Sequence, residues 1–388
     1  MRIVVLDYAG HLPQADLAKK LNLVGYEILH LRCTDYLTGN ADFSSVGNSP
    51  INLEFKGISA GFQLKRYNLV HRLKHEFKLS KLFYHEIAKY DPDHLILCNI
   101  PLICATRLAK RLRKANYRYI YWWQDVYSMA INNEIAFRFK FPGITLIQKY
   151  ITSLEKKLLA NSSAVVAISN KFARLFEEWD LDSSKFSIYP NWSAPEDFLV
   201  IEKIERPIEY EYFLYAGTLG LKHNPRILVD LADSLSEKYP YVRLVIVSQG
   251  RGRDFLEQPN NVRFNIVLKD FLPFSILREY LHDAIGVIAI LEPSASEYSV
   301  PSKVMTYFCA GKAIIAAVPQ DNQIAEYITK SNSGFVVNVL DPTQIRDAAI
   351  NLLSNPDLRK TLELNARKFA EENFSGERAA ALFISLIK

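Results

Sequence analysis

Residues 297–319 read Glu-Tyr-Ser-Val-Pro-Ser-Lys-Val-Met-Thr-Tyr-Phe-Cys-Ala-Gly-Lys-Ala-Ile-Ile-Ala-Ala-Val-Pro. The order is a polar turn, then a short apolar helix, then a buried strand over 313–318. Pro301 suits an early helical position and Gly311 the position just after a helix end. Unpaired N–H groups at the start of such a helix favour an anion, and Lys303 adds a positive charge beside them. This stretch therefore predicts a diphosphate-binding turn between a helix and a sheet.

Short apolar runs alternate with helical patterns along the rest of the chain. The runs lack period-two alternation, which is typical of a parallel sheet covered by helices on both faces. The predicted strands are 3–7, 27–31, 94–98, 118–122 and 164–168 in the first half, and 213–215, 243–247, 262–264, 286–289, 313–317 and 334–337 in the second. Each half is therefore predicted to be a doubly wound sheet that binds its ligand at the carboxyl ends of the strands.

The length of 388 residues exceeds what one hydrophobic core usually serves, so two domains are expected. Residues 191–209 are rich in turn-forming and charged residues and mark the break. We predict an N-terminal domain over 1–195 and a C-terminal domain over 210–373. The segment 356–388 has a helical pattern that is interrupted near residues 373–376.

Charge and composition limit the partners. Net charge is +5, but residues 51–150 hold 17 Lys/Arg against 7 Asp/Glu, a net of +10. This excess predicts an anionic partner for the first half. An anionic membrane surface or a lipid diphosphate is favoured over nucleic acid, because the chain carries no nucleic-acid-binding motif. No apolar run reaches 18 residues, so no transmembrane helix is expected. Four cysteines without metal-ligand spacing predict buried thiols in a reducing cytoplasm.

The opening segment resembles the nucleotide-sugar signature of retaining glycosyltransferases of family 4, which have the GT-B fold. The family usually reads Pro-Ser-Lys-x-x-Glu-Tyr-x-Ala-x-Gly-Lys here. The matching residues are Pro301, Ser302, Lys303, Tyr307, Gly311 and Lys312. The chain departs at Thr306, where the family carries the second glutamate of a pair, and the first would fall at Tyr298, next to Glu297.

The resemblance implies two Rossmann-like domains that face a central cleft. It implies that the donor docks on the second domain and the acceptor on the first, and that the final helix, 374–388, packs back on the first domain. It also implies transfer with retention at the anomeric carbon, to a polyprenyl-diphosphate-linked or saccharide acceptor in bacterial surface polysaccharide biosynthesis. The donor is expected to be a UDP-sugar.

Donor-binding residues are predicted in the loops that follow strands of the second domain. Gly217 and Gly220 let the backbone approach a phosphate, and Lys222 adds a charge. The second such loop carries Gly250 and Arg251. The full predicted donor set is Gly217, Thr218, Lys222, Gly250, Arg251, Lys269, Glu297, Ser299, Val300, Pro301, Ser302, Lys303 and Thr306. Arg251 and Glu297 also fit ordinary surface charges.

Two loops of the first domain carry the predicted catalytic and acceptor residues. Tyr8, Gly10 and His11 follow the first strand, and the first two are assigned to the acceptor side. His11 fits an acid/base group, a sugar contact or a capping histidine. Asp125 follows another strand and fits either a catalytic carboxylate or a helix cap. The tryptophans at 122 and 123 fit stacking on sugar or packing in the core.

The chain has no Asp-x-Asp sequence and no cluster with metal-ligand spacing. Lysines, arginines and helix N-termini are therefore expected to neutralise the leaving diphosphate without a metal. No cofactor is expected, since the nucleotide-sugar is a substrate. The sequence also lacks a phosphate-binding Gly-x-x-x-x-Gly-Lys loop and a dinucleotide fingerprint.

We therefore predict a metal-independent, hexosyltransferase-like enzyme of the cytoplasm, held at the inner face of the membrane. Two stretches that mix cations with apolar residues, 63–74 and 137–142, fit an interfacial surface on anionic lipid as well as a solvated face. Two alternatives stay open. One is a non-hydrolysing nucleotide-sugar epimerase, and the other is a non-catalytic, membrane-associated partner subunit, which the missing glutamates suggest.

Overall fold

The computed structural model describes residues 1–35, 52–62, 69–138, 142–192, 198, 208–220, 223–293 and 303–387. Contacts between residues divide the chain into two compact units. The first unit comprises Met1–Pro190 and Gly376–Lys388, and the second comprises Asn191–Ser375. Each unit is a Rossmann-like α/β domain built on one parallel sheet, as predicted.

The first unit holds a seven-stranded sheet. Its strands are β1 (Arg2–Asp7), β2 (Glu27–Cys33), β3 (Leu53–Ile58), β4 (His94–Cys98), β5 (Tyr119–Trp123), β6 (Ala164–Ala167) and β7 (Phe186–Ile188), in the spatial order β3-β2-β1-β4-β5-β6-β7. All neighbours pair in parallel. In β1 every residue from Ile3 to Asp7 is buried, because helices cover both faces of the sheet.

Six helices connect these strands. They are α1 (Leu12–Leu23), α2 (Leu69–Tyr90), α3 (Leu102–Lys114), α4 (Tyr127–Arg138), α5 (Ile144–Ala160) and α6 (Asn170–Glu178). The last of them has a side-chain cap, since the Ser169 hydroxyl accepts the N–H of Lys171. A short 3-10 helix, Ser183–Lys185, precedes β7.

The second unit repeats the design with six parallel strands. They are β8 (Tyr212–Ala216), β9 (Arg243–Val247), β10 (Ile266–Lys269), β11 (Gly286–Ile290), β12 (Ile314–Ala317) and β13 (Gly334–Val337), in the order β10-β9-β8-β11-β12-β13. Its helices are α7 (Arg226–Lys238), α8 (Arg251–Leu256), α9 (Phe274–Asp283), α10 (Lys303–Cys309), α11 (Gln323–Ser331), α12 (Pro342–Ser354) and α13 (Pro356–Asn373). Among the helices within the described ranges, none has the length and apolar character needed to cross a membrane.

One predicted strand is wrong and two strands were not predicted. Residues 262–264 are not a strand, and Val262 and Phe264 are 60% and 66% exposed. The strand begins later, at Ile266. The unpredicted strands β3 and β7 lie at the two edges of the first sheet, where half-exposed residues dilute the apolar pattern.

The last helix, α14 (Gly376–Ile387), lies in the first unit. Its Phe383 packs against Trp122, with ring centroids 5.1 Å apart. A side chain at Gly376 would collide with Asp16 and Lys20 of α1, so glycine permits the close approach of the two helices.

Candidate active site

In both sheets the strand order reverses between two central strands. These are β1 and β4 in the first unit and β8 and β11 in the second. Ligands of doubly wound sheets bind beside such a reversal, at the carboxyl ends of the strands. Two of the predicted loops follow these strands directly, the one after Asp7 and the one after Ala216.

Three polar side chains meet at the reversal in the first unit. Asp7 ends β1 and is completely buried, and its carboxylate accepts the backbone N–H groups of His11 and of Ala9, the latter at 3.3 Å. The Nδ1 atom of His11 lies 3.3 Å from Asp7 Oδ1. Asn99, just after β4, places Nδ2 at 3.4 Å from Asp7 Oδ1 and 3.0 Å from His11 Nδ1. One buried carboxylate therefore organises an imidazole and an amide from two adjacent strands.

Electrostatics favour a proton on His11. The surroundings partly desolvate the ring, which disfavours the imidazolium, but the carboxylates of Asp7 and Asp125 outweigh this and raise the pKa of His11. Burial alone would raise the pKa of Asp7, and the nearby His11 instead lowers it. The His11 side chain is 41% exposed. The structure thus brings the two predicted catalytic residues, His11 and Asp125, into electrostatic contact.

The predicted acceptor-side residues Tyr8 and Gly10 lie in the same loop. Gly10 has φ +74°, the left-handed region that favours glycine. Tyr8 is buried, and its hydroxyl lies 3.3 Å from Nδ1 of His75. The Nε2 atom of His75 lies 2.9 Å from Asp35 Oδ2. Tyr8 therefore ends a hydrogen-bonded chain that passes through two buried groups.

Asp35 and His75 also form, with Cys33, the group in the described ranges whose ligand atoms lie close enough to hold a metal ion. These atoms already have protein partners. The carboxylate of Asp35 accepts the Ser59 hydroxyl at 2.5 Å and the Ala60 N–H at 2.6 Å, besides its contact with His75.

The two tryptophans of β5 pack in the core. Trp122 and Trp123 are both completely buried. Trp123 Nε1 donates to the buried carboxylate of Glu155 at 3.1 Å, and the same carboxylate accepts the N–H groups of Tyr127 and Ser128 at the start of α4. Burial raises the pKa of Glu155. Of the two interpretations of the tryptophans, the structure supports packing.

In the second unit, hydrogen bonds join the loops after β8 and β9. The N–H of Gly217 donates to Val247 O at 2.9 Å, and the N–H of Leu219 donates to Gln249 O at 3.0 Å. Gly217 and Gly250 have φ +129° and +110°, and a Cβ at Gly250 would lie 3.0 Å from the Leu219 carbonyl oxygen. Two of the predicted donor-site glycines are therefore required by backbone geometry.

Lys303 begins α10 and lies across the glycine loop. A Cβ at Gly217 would be 3.0 Å from Lys303 Cε and 3.3 Å from Nζ. The Nζ atom donates to the Tyr215 hydroxyl at 2.5 Å, and that hydroxyl donates to the Thr218 carbonyl at 3.0 Å. The structure thus brings together three predicted donor residues, Gly217, Thr218 and Lys303. Thr306 lies one turn further along α10 and is half-buried.

The remaining matched residues of the signature hold the fold. Gly311 follows α10 with φ +61°, its N–H bonds Phe308 O at 2.9 Å, and the next N–H bonds Tyr307 O at 3.2 Å. This is a Schellman cap, in agreement with the predicted role of Gly311. Lys312 is buried and pairs with Glu363 Oε1 at 2.8 Å. Burial lowers the pKa of the Lys312 ammonium, and Glu363 offsets this only in part.

The basic residues near β9 and β10 differ in exposure. Arg251 begins α8 and is exposed. Arg253, which was not predicted, contacts Ser248 O at 3.1 Å, Asp270 at 3.0 Å and Glu257 at 2.8 Å. Lys269 ends β10, with Nζ 5.7 Å from the centroid of the Tyr280 ring.

Six predicted donor residues lie outside the described residues. They are Lys222, Glu297, Ser299, Val300, Pro301 and Ser302. Within the described part, sequence reasoning missed Asp7, Asn99 and Tyr215 as site residues. The first two end or follow strands that were predicted, so the strand-end rule would have found them. Tyr215 gave no such signal, because it lies inside an apolar strand.

Comparison with known proteins agrees with this geometry. Residues 199–369 match the family described as glycosyl transferases group 1. The second unit therefore carries a glycosyl transferases group 1 domain, and this supports the predicted transferase. The chain is also 26% identical to an uncharacterized glycosyltransferase of Methanocaldococcus jannaschii over 248 residues, which cover 59% of each protein. The chain thus spans about three-fifths of the length of that relative.

Solved structures match the whole chain. Sucrose-phosphate synthase from Thermosynechococcus elongatus has a TM-score of 0.72 at 15% identity, and the match covers 100% of this chain and 98% of that one. HepE from Anabaena, solved with UDP-glucose, has a TM-score of 0.70 at 14% identity, with 99% of both chains covered. The chain has the GT-B fold.

Proposed function

We propose that this chain is a retaining, family 4-like glycosyltransferase that takes its sugar from a UDP-sugar. The observation that carries the proposal is Lys303, placed along Gly217 beside the strand-order reversal of the second unit. A cation beside exposed backbone N–H groups suits a diphosphate. The match to glycosyl transferases group 1 over this unit supports the proposal, and so does the fold shared with HepE, which was solved with UDP-glucose.

In the proposed reaction the bond between the anomeric carbon and the diphosphate breaks, and UDP leaves with the electron pair. The acceptor hydroxyl loses its proton and forms the new bond on the same face of the sugar. Lys303 and the glycine loop stabilise the negative charge that develops on UDP. No bound metal is needed for this step, because fixed cations and N–H groups supply the charge.

The first unit supplies the acid/base groups and the acceptor side. His11 carries a raised pKa beside Asp7 and Asp125, so it can hold a proton near neutral pH. Tyr8 and Gly10 lie in the same loop, on the acceptor side. We assign the acceptor to a polyprenyl-diphosphate-linked or saccharide molecule of bacterial surface polysaccharide synthesis.

A membrane-facing surface on the first unit fits a lipid acceptor. The junction of α4 and α5 exposes large apolar side chains. These are Phe137 at 87%, Leu146 at 72%, Tyr150 at 63% and Ile147 at 41% exposed. Lys149 is exposed among them. Apolar side chains with interspersed cations are typical of surfaces that insert into anionic lipid.

Within the stretch 63–74 the described cations differ in their availability to lipid. Lys74 is exposed, whereas Arg72 donates to the buried carboxylate of Glu76 at 2.8 Å. Lys65 and Arg66 lie outside the described residues, as do Phe139 and Phe141. The proposed contact with the inner face of the membrane therefore relies on the α4–α5 junction.

The test is turnover on membranes. The purified chain is incubated with a panel of radiolabelled UDP-sugars and with bacterial membrane extract as the source of acceptor. Transfer of label to the lipid or saccharide fraction supports the proposal. Interconversion of the free UDP-sugar without transfer would indicate an epimerase, and UDP-sugar binding without either reaction would indicate a partner subunit.

A further inference from the structure

Two buried tyrosines at the carboxyl end of β8 differ in what their hydroxyl groups contact. The Tyr215 hydroxyl accepts from Lys303 Nζ at 2.5 Å and donates to the Thr218 carbonyl at 3.0 Å. The Tyr307 hydroxyl accepts the N–H of Ala216 at 3.0 Å and lies 3.2 Å from the carbonyl of the same residue. One tyrosine touches the lysine of the donor loop, and the other touches only backbone among these contacts.

The Lys303–Tyr215 contact uses both the ring and the hydroxyl group. Lys303 Nζ lies 3.8 Å from the centroid of the Tyr215 ring. An ammonium at this distance is attracted to the ring face, and its N–H bond to the hydroxyl is charge-assisted. Burial and the nearby Tyr307 raise the pKa of Tyr215 well above its ordinary value, so the hydroxyl keeps the proton that it donates to Thr218.

The path of the lysine side chain is also fixed from the other side. Its Cε and Nζ atoms pass over Gly217, where a Cβ would come within 3.0 Å and 3.3 Å of them. The lysine has four rotatable bonds and would otherwise lose about 2 kcal/mol of rotamer entropy on binding a ligand. Contacts that hold it before the ligand arrives reduce this loss.

We infer that Tyr215 is a positioning residue, which holds the Lys303 ammonium and the turn at Thr218 ready for the diphosphate of the donor. This inference rests on the proposed function and deepens it. Tyr215 acts through Lys303 and is not assigned a contact with the sugar or the reacting atoms.

The test is the affinity for UDP, measured by calorimetry on the full chain. Tyr215→Phe keeps the ring and removes the hydroxyl, so we expect the Kd for UDP to rise about threefold to tenfold, the effect of one hydrogen bond. Tyr307→Phe is the matched control, because it also removes one buried hydroxyl from this strand end. It should lower the melting temperature and leave the Kd for UDP within about twofold.

A double-mutant cycle separates positioning from general destabilisation. In a Lys303→Met background, Tyr215→Phe should cause no further loss of UDP affinity, because the group that it positions is gone. Full additivity of the two substitutions would overturn the inference, and so would an unchanged Kd in Tyr215→Phe. Failure of the wild-type chain to bind UDP would overturn the proposed donor site, and this inference with it.

Discussion

The two sheets share one strand order but carry opposite chemistry where that order reverses. In the first unit a buried carboxylate, Asp7, holds His11 and Asn99. In the second unit a glycine turn at Gly217 holds the cation of Lys303. The same topology therefore provides a binding position twice, and the residues after the strands decide what is bound there. We assign proton chemistry to the first position and diphosphate binding to the second.

The largest effect is expected at the first position. His11→Ala should lower kcat by about 10²–10⁴-fold, the range for a residue that transfers or holds a proton in the transition state. The exposed His85 of α2 in the same unit is the control, and His85→Ala should leave kcat within about twofold. Equal kcat for wild type and His11→Ala would remove the proton chemistry from this position.

The same variant tests the electrostatics of the first position through stability. Because the pKa of His11 is raised in the folded state, its pairing with Asp7 stabilises the fold fully below about pH 6.5. This contribution is lost as pH rises through the raised pKa. In urea titrations, the difference in free energy of unfolding between wild type and His11→Ala should therefore shrink with rising pH. A difference that grows with pH would mean that the imidazole is held neutral.

A somewhat smaller effect is expected at the second position, where two lysines of one signature have different roles. Lys303→Met should cost roughly 2–4 kcal/mol of transition-state stabilisation, which corresponds to about 30-fold to 10³-fold in kcat/KM for the donor. Lys312→Met should instead lower stability, because it leaves Glu363 with its ion-pair partner removed. Steady-state kinetics and urea unfolding of both variants test this. Similar kinetic losses in both would contradict the division of roles.

The pairing of these two lysines shows how far sequence reasoning reaches. Lys303 and Lys312 were matched to the same family pattern, yet one lies over the glycine loop and the other is buried against α13. A pattern records residue types in order, whereas the role depends on which partners the fold places nearby. Gly311 shows the opposite case, because a helix end that needs a positive φ can be recognised locally.

The fold was predictable for a similar local reason. Central strands such as β4 and β9 are buried on both faces, so their apolar runs have no competing pattern, and both were predicted with the observed bounds. The edge strand β3 alternates exposed and buried residues and was missed. Tyr215 could not be assigned a role, since its hydroxyl meets a lysine 88 residues away.

A third contrast concerns the surfaces of the units, where a moderate effect is expected. Binding to anionic vesicles should fall about tenfold in the double variant Phe137→Ser/Leu146→Ser, because two exposed side chains no longer enter the lipid. The control is Phe264→Ser in the second unit, a side chain that is also exposed, at 66%. Sedimentation with vesicles at rising salt measures both effects. The apolar contribution should persist in high salt, while that of the cations is screened. Equal losses in the two variants would mean that lipid does not distinguish the units.

The smallest effect is expected from metal removal, and it returns to the difference between the two positions. Lys303 and the backbone N–H groups supply positive charge at the second position, so turnover should change less than about twofold in EDTA. The group of the described residues that could take a metal ion, Cys33 with Asp35 and His75, lies in the first unit and is joined by hydrogen bonds to Tyr8. Turnover that is lost in EDTA and restored by Mg²⁺ would mean that a metal neutralises the diphosphate. Turnover restored by Zn²⁺ alone would point instead to the group around His75, because thiolate and imidazole ligands select zinc over magnesium. Unchanged turnover leaves the cation of the second unit as the group that opposes the leaving charge.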